Sequence, residues 1–164
     1  MPNEPRWVAV RDHLLDSLAL MSRANGYHYD YAPTVIGSAA WPNEGDTARP
    51  APHLEWTGTI AQGGGSDETA TNRFRRDEGW SVSFVVQSPD GDHERMAARI
   101  RADVHMALMG GTPSRRTRGE ARVNTFDLST TWSPGGRGAE QEGGILDLGY
   151  ATRGDHVAGD MSSQ

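Results

Sequence analysis

The sequence predicts an α+β fold: a mixed or antiparallel sheet of about four to five strands packed with two helices and connected by long loops. Three observations carry this. Two segments, 5–25 and 92–109, repeat apolar residues at intervals of three and four, the period of a helix. Several shorter segments alternate apolar with polar residues, the period of a strand. The order runs helix, three strands, helix, two strands, and strands in runs with segregated helices mark a layered α+β domain.

The first helix is set by Trp7, Val10, Leu14, Leu18 and Met21, with Leu15 widening the stripe. Asn3 or Glu4 before Pro5 resembles a helix start, and Asn25-Gly26 supplies a stop, since glycine tolerates the left-handed conformation. Tyr27-His28-Tyr29-Asp30-Tyr31, leading to Thr34-Val35-Ile36, alternates as a strand does, with Pro33 placing a bend or an edge in it. Residues 37–52 read as a loop. A second strand is expected over 53–60, where Leu54, Trp56 and Ile60 alternate with Glu55, Thr57 and Thr59. Residues 61–76, with Gly63-Gly64-Gly65 and Arg73-Phe74-Arg75-Arg76, break the pattern and read as a loop.

Residues 79–109 form the clearest unit. Val82, Phe84 and Val86 give a strand with one more deeply buried face. Pro89-Asp90-Gly91 supplies turn residues, and Asp92 is the expected cap of a helix whose Met96, Ile100, Val104 and Leu108 share one side. Gly110-Gly111-Thr112-Pro113 stops that helix. A long strand is expected over 120–132, with Val123, Phe126, Leu128 and Trp132, and a short one from Ile145 to Tyr150, with Leu146, Leu148 and Tyr150 on one face. From Gly154 the chain reads as a tail. A single domain over 1–155 and a flexible end over 156–164 are expected.

Composition narrows the function. At 164 residues the chain suits one domain. Only 35% of residues are hydrophobic, and with 20 Gly and 9 Pro the centre must be small and the loops long. The absence of cysteine removes disulfides, thiolate metal sites and cysteine nucleophiles. No segment approaches the roughly 18 consecutive apolar residues of a membrane span, and Met1-Pro2-Asn3-Glu4-Pro5-Arg6 does not read as a signal peptide, so a protein made and kept in a cytoplasm is expected. All 16 basic residues are arginine, which suits a GC-rich genome, and the net charge of -6 opposes general binding to nucleic acid.

Motifs for chemistry are weak. The histidines at 13, 28, 53, 93, 105 and 156 include no pair at metal-helix spacing, and His28 with Asp30 offers two groups, not a site. Asp90-Gly91-Asp92 with Glu94 reads as capping and not as a calcium loop. Gly63-Gly64-Gly65-Ser66 lacks the end of a phosphate loop, no Gly-x-Ser-x-Gly elbow exists, and the paired carboxylates read as solvated loop charge. No catalytic residue, metal or cofactor is expected. The arginine groups are more telling. Arg73, Phe74, Arg75 and Arg76, together with Arg115, Arg116 and Arg118, suit bidentate pairing across an interface with acids such as Asp67, Glu68 or Glu140. Trp41 and Trp132 join them as candidate subunit or partner contacts.

A resemblance gathers these features. The first helix ends in Ala24-Asn25-Gly26-Tyr27, and a loop rich in Pro and Gly follows. Then come the strand Trp80–Val86, the helix with Ala102-Asp103-Val104 and Ala107-Leu108, and a late strand with Tyr150-Ala151-Thr152. Over roughly residues 5 to 155 the chain resembles the tail terminator (tail completion) proteins of long-tailed bacteriophages. The resemblance implies a virion protein assembled in the host cytoplasm. It would form a homo-oligomeric ring, usually a hexamer, at the head-proximal end of the tail. Its partners would be the major tail tube protein, whose growth it stops, and the head-tail connector or stopper protein. Genomic DNA would pass through the lumen without specific binding, and no membrane would be involved. The long segment 61–76 and the extension after 154 depart from the family's pattern. Beside this stand a connector or stopper protein, and a small ligand-binding or hydrolytic α+β domain using His28 and Asp30.

Overall fold

The computed structural model describes residues 5–40, 49–62, 73–110, 124–135 and 143–157. Among these residues two helices, α1 (Arg6–Leu18) and α2 (His93–Met109), lie with a five-stranded sheet. Its strands are β1 (Val35–Ile36), β2 (His53–Gln62), β3 (Arg73–Val86), β4 (Asn124–Pro134) and β5 (Gly144–Val157), in the order β1-β2-β3-β5-β4. Adjacent long strands are antiparallel, while β1 runs parallel to β2. It follows that β3 and β4 share a direction, with β5 inserted between them and α2 making the crossover. The expected α+β arrangement is what the chain adopts.

Both helices cover one face. Val10, Leu14, Leu18 and Met21 meet Met96, Ala97, Ile100, Val104 and Ala107 over Leu54, Trp80, Val82, Phe84, Val86, Leu146, Leu148 and Tyr150. Each large apolar side chain buried here contributes about 1.5–3 kcal/mol relative to exposure. Trp80 also satisfies its one polar group, donating from Nε1 to Thr152 Oγ1 at 2.9 Å. The start of α2 follows its sequence signal: the Asp92 carboxylate accepts from Arg95 N at 3.1 Å.

Several boundaries differ from expectation. α1 ends at Leu18, and only a 3₁₀ turn, Arg23–Asn25, separates it from Gly26, whose φ is 90°. Residues 27–34 are not a strand: His28 N and Tyr31 Oη bond to Asp103 of α2, Tyr27 N to Ser22 O and Ala32 N to Pro50 O, and of the expected strand Val35–Ile36 pair in the sheet. β2 and β3 run further than predicted, so Arg73–Arg76 begin β3 instead of closing a loop. β5 likewise extends through Val157, making residues 154–157 strand where a tail was expected. Antiparallel pairing with a long partner explains both extensions, since Arg73 to Val86 pair residue for residue with Val157 to Gly144. Residues 158–164 lie outside the described residues.

The alternation in β2 fails at a bulge between Trp56 and Gly58. Gly58 has φ 118°, a conformation open to glycine and strained for other residues. β4 carries a second bulge at Leu128, between Asp127 and Ser129. Bulges thus sit on both outer long strands.

Candidate functional site

Three constellations of polar or exposed side chains are built on this frame, two of them on α2. The first centres on Asp103, which α2 turns into the core, 1% exposed. Its carboxylate accepts from His28 N at 3.0 Å, from Tyr31 Oη at 2.6 Å, and pairs with His28 Nδ1 at 2.7 Å. These bonds pin the irregular segment after α1 onto the second helix. Burial, and then the bond to Asp103, raise the Tyr31 phenol well above its ordinary range, so it stays a donor. His28 and Asp30, which would share a face were the segment a strand, turn to different partners. Asp30 instead accepts from Arg23 N at 2.9 Å. A carboxylate on one imidazole nitrogen with the ring half exposed is an orientation used in acid–base catalysis. Among the described residues no group of three or more His, Asp or Glu side chains is placed to hold a metal.

The second constellation leaves α2 one residue beyond Val104. His105 packs edge-on against Tyr150 of β5, ring centroids 5.6 Å apart. Its Nε2 lies 3.8 Å from Asp127 Oδ1, and Arg101 Nη2 lies 3.6 Å from Asp127 Oδ2. Asp127 and Tyr150 are directly opposite in the β4–β5 ladder. The buried Tyr150 hydroxyl and His105 Nε2 find no hydrogen-bond partner among the described residues. Burial lowers the His105 pKa, opposed by Asp127 and reinforced by Arg101. Burial, then Asp127, raises that of Tyr150. A third carboxylate, Asp77, is 2% exposed and receives Arg153 in a two-pronged pair, both bonds 3.0 Å, while that guanidinium also lies over the Phe126 ring. The expectation that carboxylates lie solvated in loops therefore fails at Asp77 and Asp103. Both belong to regular elements, and buried partners offset their desolvation.

The third constellation is apolar and lies at the sheet's margins. Val35, Ile36 and Trp56, on the β1/β2 side, are 45, 57 and 40% exposed. Phe126 and Leu128, on β4, are 39 and 56% exposed. Trp56 stacks on Trp7 at 4.8 Å and donates to Glu78 at 2.9 Å, which fixes its ring at the edge.

Of the predicted contact residues, Trp132 is placed on β4, half buried and packed against the core. Arg73, Phe74, Arg75 and Arg76 lie on β3 by their backbone, with side chains outside the described ones. Trp41, Arg115, Arg116 and Arg118 lie outside the described residues. Sequence reasoning missed Asp103 and His105, whose periodicity places them beside the apolar stripe of α2. An acid between Ile100 and Val104 was the available signal. No known protein family matches the chain, and no curated protein matches it.

Proposed function

We propose that the chain is a structural subunit, a tail terminator of a long-tailed phage that forms a ring on the tail tube and meets the head-side connector. The observation that carries this reading is the division of labour among its side chains. Asp77 and Asp103, the deeply buried carboxylates, are bonded into the fold, whereas large apolar side chains are left exposed at the sheet's margins. Such residues suit association more than turnover. The α+β arrangement is also the one the resemblance implies, and the acidic balance suits a lumen that DNA traverses without being held.

The purified protein, added to polymerising tail tubes, should stop their elongation and appear by electron microscopy at one end. Tubes that lengthen at the control rate with bare ends would sink the reading. The connector or stopper is the runner-up. Imaging tails that have lost their heads separates the two, because a terminator stays with the tail and a connector stays with the head.

A further inference from the structure

We infer that the two margins of the sheet are the two halves of one contact, and that the occupant of each is a second copy of this chain joined head to tail. The inference rests on the assembly reading above and specifies which surfaces close the ring.

Strand direction comes first. β2 and β5 point one way, β3 and β4 the other, and β1 follows β2. Setting β4 of one copy beside β1 and β2 of the next continues the antiparallel alternation and keeps every helix on the same face. Among the described residues, both margins offer free backbone. The N–H groups of Val35 and Gly37 bond inward to β2, which by strand alternation turns that of Ile36 outward. Among the described residues β4 pairs only with β5.

Ladder register then aligns the apolar groups. One row across the sheet reads Trp56, Trp80, Tyr150, Asp127, with the bulge residue Leu128 at its end. The next inward-facing row reads Ile36, Leu54, Val82, Leu148, Thr130. Leu128 of one copy therefore arrives level with Trp56 of the next and one row from its Ile36. An even slip of two residues keeps each side chain on its own face. A two-fold contact of β4 with β4 would leave Val35, Ile36 and Trp56 uncovered, whereas the head-to-tail contact covers both sets. The bulges at Thr57 and Leu128 keep the backbone ladder short, so side chains dominate the joint. A heterologous contact of this kind closes into a ring when its rotation permits.

Leu128→Arg and Ile36→Arg test this in the full chain. Both positions are exposed, so an unchanged melting transition is expected. Each variant alone should need at least about tenfold more protein to assemble, by sedimentation or native mass spectrometry. Mixed, the two should form a one-to-one dimer that grows no further, since Ile36→Arg keeps a sound β4 margin and Leu128→Arg a sound β1/β2 margin. A dimer of Ile36→Arg alone would overturn the inference in favour of a β4–β4 contact. Assembly of both variants at wild-type concentrations would overturn it too, as would a wild-type protein that stays monomeric at millimolar concentration. The terminator reading fails separately: assembly that obeys these variants in a protein that never caps a tube leaves the contact standing and removes the function.

Discussion

Asp103 and His105 leave the same helix two residues apart and reach opposite fates. Asp103 enters a set of donors that saturates it, His28 N, His28 Nδ1 and Tyr31 Oη. His105 enters a space where its own Nε2 and the Tyr150 hydroxyl are buried without partners among the described residues, with Asp127 at 3.8 Å, too far for a hydrogen bond. A satisfied buried carboxylate acts as a clamp. An unsatisfied imidazole beside a carboxylate is a cost that protonation changes. The helix thus has a rigid flank toward the segment after α1 and a titratable flank toward the β4 margin.

The largest expected effect breaks the rigid flank. Asp103→Ala leaves the buried Tyr31 hydroxyl and the part-buried His28 N and Nδ1 without their acceptor and should cost about 3–5 kcal/mol, measured by urea unfolding. Tyr31→Phe removes one donor and should cost about 1–2 kcal/mol. If both cost less than Tyr31→Phe alone is expected to, the clamp is not what holds 27–31. Asp77→Ala comes next. It removes both bonds of the two-pronged pair with Arg153 and should cost about 2–3 kcal/mol. On the other flank, Tyr150→Phe should be neutral or stabilising by up to about 1 kcal/mol, because it deletes a buried hydroxyl that has no hydrogen-bond partner among the described residues. A loss comparable to that of Tyr31→Phe would mean the two flanks do not differ.

This contrast also marks what the sequence disclosed. The apolar periods placed both helices, the burial of Val82, Phe84 and Val86, and the shared face of Leu146, Leu148 and Tyr150, because core packing obeys local spacing. Long-range pairing escaped it. Nothing near Tyr27–Tyr31 signals that Asp103, more than seventy positions away, supplies its acceptor, so aromatic alternation was read as a strand. The ends of β3 and β5 were read as loop and tail because arginines and glycines have low strand preference, which a long antiparallel partner overrides. Of the candidate contact residues, Trp132 is expected on a strand and lies on one, Arg73–Arg76 are expected in a loop and lie on β3, and the exposed margins at Ile36, Trp56 and Leu128 depend on strand order, which spacing does not encode.

The smallest expected effect, and the sharpest, is on pH. Burial lowers the folded-state pKa of His105, and of His53, below the ordinary 6.5. The unfolded chain therefore binds more protons than the folded one just below that value, and stability must fall as pH drops through it. Melting temperature should be flat from about pH 7.5 to 7 and decline toward pH 5.5, and His105→Gln should make the decline shallower. Asp127→Asn gives the decisive sign. The carboxylate is the one group raising the His105 pKa, against burial and Arg101. Removing it should push that pKa lower still and steepen the acid loss. Were His105→Gln instead to steepen the decline, the protonated His105 would already be paired with Asp127 in the folded protein. The two flanks of α2 would then be alike.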